Sequence, residues 1–253
     1  MINLEISLVV LLCLMAGFLA GLGMARRLPD HHLSKESQDT IKLGASIVAT
    51  MSALILGLLV SSAKNSFDHM NASIAQSGAR LIQLDHLLAE YGPATRAIRD
   101  QLKNSIGGVV KDVWSSTTPR ASGLKALEKT TIMLDLQSQL QTLTPQTEEQ
   151  KSLLNQSQQI ATAIWQDRLL VVEEQQEPIP MVFLVLLIFW LTLLFLSFGL
   201  FAPPNVTVIM VLLMCAVAVS SAVFLILEMS HPLDGLIKVS NAPMLKALEL
   251  MGH

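Results

Sequence analysis

The stretch PIPMVFLVLLIFWLTLLFLSFGLFAPPNVTVIMVLLMCAVAVSSAVFLIL, residues 178–227, contains no charged residue and decides the fold. A hydrocarbon core about 30 Å thick is crossed by about 20 helical residues rising 1.5 Å each, so this run is too long for one crossing. Ala202-Pro203-Pro204-Asn205 breaks it, which divides it into two spans, about 179–201 and 206–228, with a tight turn between them. Glu228 closes the second of these. Trp190 falls near mid-span, the place of a packing residue rather than of an interfacial anchor.

Two more uncharged runs lie near the start, at residues 6–24 and 43–63. The leader Met1-Ile2-Asn3-Leu4-Glu5 has no basic segment, and no small-residue cleavage site follows the first run, so that run reads as a retained span. Gly17 and Gly21 stand at the small-x-x-x-small spacing of close helix packing. In the second run Ser46, Ala49, Ala53, Gly57 and Ser61 recur every three or four residues and form one small, weakly polar stripe. Such a stripe is either a packing seam or, in an oligomer, the lining of a wet path. The predicted class is therefore an all-α integral membrane protein, with two transmembrane hairpins flanking a soluble helical segment.

Composition points the same way: 51% of the 253 residues are hydrophobic and 15% charged, against about 25% charged in an ordinary soluble domain. A net charge of -3 offers no basic field for nucleic acid. Cys13 and Cys215 lie in apolar runs, where they form neither a disulfide framework nor a zinc site. Adjacent His31 and His32 diverge and lack a nearby thiol, so they read as loop residues.

Residues 64–178 have the chemistry of a soluble helical domain. Phe67, Met70, Ile74, Leu81, Leu84, Leu88 and Tyr91 keep a helical rhythm continuous with the second span, giving a helix of about 50 residues and roughly 75 Å. Gly92-Pro93 stops it. Ile98, Leu102, Ile106, Val109, Val110 and Val113 mark a second helix; Thr117-Thr118-Pro119 and Ser122-Gly123 separate it from a third on Leu124, Leu127, Leu134, Leu136 and Leu140. Thr144 is the expected N-cap of a fourth, with Pro145 at its first position and Glu148 and Glu149 near its positive end. The domains expected are 1–63, 64–178, 179–228 and a tail, 229–253, with an amphipathic segment at 243–251.

Catalytic vocabulary is absent: there is no G-x-S-x-G, P-loop, G-x-G-x-x-G or H-E-x-x-H. Asp68-His69 and Asp85-His86 are helix neighbours that do not face one another, and His86 with Glu90 is an ordinary i,i+4 pair. The expectation is no enzyme, no cofactor and no metal. Asp85, Tyr91, Gly92, Pro93 and Arg99 are expected to build a corner in which Gly92 and Pro93 reverse the chain and Arg99 returns to Asp85. Asp167, Arg168 and Glu228 are expected as polar residues at the membrane boundary.

Several strings carry a family resemblance. They are Ala63-Lys64-Asn65-Ser66-Phe67-Asp68, Leu84-Asp85-His86-Leu87-Leu88-Ala89-Glu90-Tyr91-Gly92-Pro93 with Arg99, and Gln166-Asp167-Arg168. Phe189-Trp190-Leu191-Thr192, Ser197-Phe198-Gly199-Leu200-Phe201-Ala202-Pro203 and Phe224-Leu225-Ile226-Leu227-Glu228-Met229 complete the set. Over almost the whole chain the sequence resembles the prokaryotic membrane proteins of the bestrophin-like domain family, and departs from their pattern at His86 and Ala94. By distant analogy the resemblance implies a relation to bestrophins, pentameric anion channels with four membrane helices per subunit.

The expected function is a homo-oligomeric channel or transport pore for a small inorganic ion; the alternative is a membrane-anchored scaffold or sensor whose soluble segment binds a partner. The partners expected are the lipid bilayer and further copies of the chain. Arg26, Arg27, Lys35 and Lys42 in the first loop, against none in the leader, place that loop in the cytoplasm of a cell whose inner membrane holds the protein. The helical domain then lies outside, opposite to the bestrophin arrangement.

Overall fold

The computed structural model describes residues 2–29, 34–115, 132–174, 181–203, 205–230, 232–233 and 237–251. Its helices are α1 (Ile2–Ala25), α2 (Lys35–Tyr91), α3 (Arg96–Ser115), α4 (Ile132–Thr142), α5 (Glu148–Glu174), α6 (Met181–Phe201), α7 (Val206–Met229) and α8 (Ala242–Leu250), with a 3-10 turn at Pro93–Thr95. There is no strand among the described residues. Among the described residues four helices are long and apolar enough to cross a membrane: α1, α2, α6 and α7. His31, His32, Thr117 to Pro119, Ser122 to Leu124 and Leu127 lie outside the described residues.

The chain divides into two compact units, Met1–Asn65 with Pro178–Ser230, and Ser66–Glu177 with His231–His253. The first is a span unit. In it α1 lies between α6 and α7, and Val10, Leu14, Phe18, Leu187, Phe195, Val223 and Ile226 form its core. Gly17 meets Thr192 while Gly21 meets Leu196 and Leu200, so α1 and α6 run in the same direction. The remaining faces are rows of exposed apolar side chains, such as Leu8, Leu12, Val185, Phe189 and Met214, that only a hydrocarbon solvent suits.

The second is a helical unit with an aqueous logic: each helix buries one stripe. Met70, Ile74, Leu81, Leu84, Leu88 and Tyr91 of α2 are buried, as are Ile98, Leu102, Ile106, Val110 and Val113 of α3 and Leu136 and Leu140 of α4. Spacings of three and four put each set on one side of its helix. The tail, which the sequence reading kept apart, joins this unit: Ala247 and Met251 enter the core, and Trp114 donates its indole N–H to the Val239 carbonyl at 2.9 Å. Lys103 Nζ donates to the Met251 carbonyl at 2.5 Å.

One expected boundary moves. Helix α5 begins at Glu148, and its cap is Thr147 rather than Thr144. The Gln150 amide donates to Thr147 Oγ1 at 3.1 Å while Gln150 Oε1 accepts from the Gln146 amide at 2.9 Å, a reciprocal closure of the first turn that Thr144 is too distant to make.

Candidate functional site

In the span unit the second span is the least covered. Only 11% of its most apolar window is buried, against 33%, 28% and 22% for α1, α6 and α7. Its inward face carries Ser52, Leu59 and Ala63, with Val48 and Leu56 half-buried beside them. The stripe predicted from the sequence, Ser46, Ala49, Ala53, Gly57 and Ser61, is exposed along its whole length. With 3.6 residues per turn, it is centred about a third of a turn from the buried face. A Cβ built on Gly57 has no neighbour within 4 Å. Ser46 Oγ is turned back onto its own helix, donating to the Leu43 carbonyl at 2.7 Å, so the face presents small, nearly neutral atoms and no charge.

Gly17 and Gly21 of α1 and Gly199 of α6 behave in the opposite way. A Cβ on Gly17 would lie 2.7 Å from the Thr192 carbonyl oxygen, one on Gly21 2.1 Å from that of Leu196, and one on Gly199 2.1 Å from that of Phe18. These are backbone-to-backbone approaches that no side chain can enter.

At the far end of this helix pair a polar clasp joins α1 to α7. Glu228 is buried and accepts from Asn3 Nδ2 at 3.2 Å; Ser7 Oγ donates to the Asn3 carbonyl at 2.8 Å, and Ser220 Oγ to the Ser7 carbonyl at 2.5 Å. The sequence placed Glu228 at the membrane boundary; Asn3, Ser7 and Ser220, its companions, had no signal beyond being polar residues in or beside apolar runs.

The corner in the helical unit forms from the residues predicted for it. Gly92 has φ 118°, a left-handed value that L side chains rarely adopt, and its amide donates to the Ala89 carbonyl at 3.2 Å. Pro93 opens the 3-10 turn. Arg99 then returns with both arms of its guanidinium on Asp85, Nε to Oδ1 at 2.7 Å and Nη2 to Oδ2 at 2.8 Å. That hydrogen bond is the main cause holding the Arg99 pKa above its ordinary value, against an opposing loss of hydration; the charges of Asp85 and Asp100 add to it. Tyr91 is buried, and its carbonyl accepts from Gln150 Nε2 at 3.2 Å. The sequence missed Thr95, which is fully buried and donates to the Leu88 and Gly92 carbonyls, closing the corner from inside. A hydroxyl two residues after Gly-Pro was the available signal.

Asp167 and Arg168 separate in role. Asp167 pairs with Arg80, whose guanidinium also donates to the Ala163 carbonyl at 2.9 Å, tying α2 to α5. Arg168 stacks over the Trp165 ring at 5.7 Å, and burial lowers its pKa. His69, His86 and Glu90 are exposed, and no group of three metal-ligating side chains occurs among the described residues.

No side-chain constellation for bond making emerges from these clusters. The polar pairs are ties between helices, with Asn3 Oδ1 left as a buried acceptor without a partner among the described residues, and the open feature is the α2 face. Residues 12–244 match the Bestrophin-like domain. No curated protein and no solved structure matches the chain.

Proposed function

The chain belongs to the bestrophin-like family, and on that premise we propose that it is a homo-oligomeric membrane channel or transport pore for a small inorganic ion, with the second spans around its axis. The observation that carries this reading is the open stripe of α2. A membrane helix whose Gly57 meets nothing in its own protomer has room for a close neighbour, and the half of the stripe beyond the groove of Ser46 and Ala49, namely Ala53, Gly57 and Ser61, offers an ion small, exposed atoms without a trapping charge. Conduction needs such weak sites, because an ion that binds tightly does not leave. The proposed subunit is a conductor and not an enzyme.

The proposed orientation follows Arg26, Arg27, Lys35 and Lys42, which put the first loop in the cytoplasm and the helical unit outside. A cysteine introduced at exposed Gln141, in a background without the native cysteines, is expected to react with an impermeant maleimide on intact cells. Labelling only after the inner membrane is breached reverses the orientation and brings it into line with bestrophins. The functional test is ion flux into liposomes and single-channel recording on purified protein, with oligomer size measured in detergent. A monomer, or silent vesicles holding correctly assembled protein, would move the assignment to a membrane-anchored scaffold.

A further inference from the structure

An open groove of about 700 Å³ lies in the span unit beside the turn between α6 and α7. The volume falls within the range of roughly 300–1,000 Å³ typical of small-ligand sites. Its α2 wall is made of Ala45, Ser46 and Ala49, and its opposite wall of Leu194, Phe198 and Val211. The groove exists because α2 offers only small side chains where α6 offers phenylalanines, and the gap between the two walls stays open. Lys42 stands at its rim, one turn before Ser46.

We infer that this groove holds an acyl chain of an anionic membrane phospholipid, with its phosphate at Lys42. The inference rests on the membrane character of the span unit and not on conduction. An apolar trough facing hydrocarbon is poorly suited to water, which needs polar partners, and an unfilled one forfeits dispersion contacts along both walls. A chain from the surrounding bilayer restores them.

Charge selects the headgroup. Lys42 has one ion-pair partner among the described residues, Asp39 at 3.8 Å, and both side chains are largely exposed. Such a pair is worth about 0–1 kcal/mol and leaves the ammonium accessible. Because α1 and α6 run in the same direction, exposed Arg26 and Arg27 after α1 lie at the same end of the unit as the α6–α7 turn. From Ala25 to Lys42 the four cations Arg26, Arg27, Lys35 and Lys42 exceed the three anions Asp30, Glu36 and Asp39 by one charge, a slight positive excess that a lipid phosphate complements. Basic pockets between membrane helices are used for anionic headgroups in this way.

The test uses the full chain in phosphatidylcholine vesicles doped with phosphatidylglycerol whose acyl chain carries a diazirine, and in parallel with the same diazirine chain on phosphatidylcholine. After photolysis, cross-links are mapped by mass spectrometry. The phosphatidylglycerol probe is expected to label peptides carrying Phe198 and Val211 in excess over the phosphatidylcholine probe. Lys42→Gln should cut that excess about fivefold, the equivalent of about 1 kcal/mol for one basic residue at the surface. Ala49→Trp, which fills the trough from an exposed position, should abolish groove labelling and leave labelling at Val185 and Phe189 unchanged. Equal labelling by both probes, or an excess that survives Lys42→Gln, overturns the headgroup assignment. Protection of the groove from both probes in an assembled oligomer overturns lipid occupancy and gives the site to a neighbouring copy. None of these readouts depends on flux, so failure here and failure of the channel reading are separate results.

Discussion

Two glycine-bearing stripes of similar sequence sit in the span unit and meet opposite fates. On α1, Gly17 and Gly21 lie so close to α6 that a single methyl group would strike a carbonyl oxygen. On α2, Gly57 has no neighbour within 4 Å, and Ala53 and Ser61 beside it are exposed. Spacing alone does not distinguish them, since both repeat every three or four residues. The difference teaches that a small-residue stripe states a capacity for close approach, and the protomer's own helices decide whether it is used. Where the approach is used, the stripe serves the fold; where it is not, the stripe remains available to a partner or a permeant.

The sharpest way to break this comparison is to enlarge one glycine in each stripe. Gly21→Leu should abolish folded protein, because its first carbon would lie 2.1 Å from a main-chain oxygen that cannot move aside cheaply; overpacking even against pliable side chains costs about 1–3 kcal/mol. Gly57→Leu should leave yield and size-exclusion profile in detergent unchanged while reducing liposome flux about tenfold or more, with Ser61→Leu behaving alike. Unchanged flux in both variants would remove the pore-lining role from α2, and normal yield of Gly21→Leu would erase the distinction itself.

The same contrast can be tested in water, where the corner is another filled contact. Arg99→Ala leaves the buried Asp85 carboxylate without its bidentate partner and should destabilise the helical unit by about 3–5 kcal/mol. Reduced folded yield and a lower melting temperature would report it. Arg99→Lys should rescue poorly, since an ammonium cannot reproduce the two-armed geometry. The sign of the pKa shift fixes the pH behaviour: raised in the folded state, the guanidinium contributes its stability throughout neutral pH and loses it only in strong alkali. A stable, normally assembled Arg99→Ala would sink the structural reading of the corner.

The smallest expected effect refines the comparison rather than threatening it. Ser220→Ala removes the hydroxyl that reaches the Ser7 carbonyl between α7 and α1. Interhelical hydrogen bonds in a bilayer average about 0.6 kcal/mol, so the loss should be slight in a detergent unfolding titration. A large loss would mean that the first span is held by polar clasps more than by the fit of its glycines.

What the sequence discloses, and what it hides, follows separation along the chain. The spans are legible because apolarity over about 20 residues is a local property. Asp85 and Arg99 are legible because a Gly-Pro reversal between them puts the two side chains on adjoining turns, fourteen residues apart. Arg80 with Asp167 is not, being 87 residues apart on helices whose rotation no local pattern records. The Thr147 cap escaped notice because Thr144-Pro145 supplies a stronger local signal, and only the reciprocal bonds of Gln150 decide against it. The openness of the α2 stripe is likewise invisible in one dimension, because it depends on where α1, α6 and α7 do not go.

The clasp between the first and last spans also sets a schedule for biosynthesis. Ser7 and Ser220 are 213 residues apart, and a ribosome adding about 5–20 residues per second needs roughly 10–40 s to travel that distance. Throughout that interval α1 sits in the bilayer with Asn3 and Ser7 unclasped and with the grooves over Gly17 and Gly21 unoccupied. Helix α1 therefore waits for α6 and α7 before its glycine face and its polar end are covered.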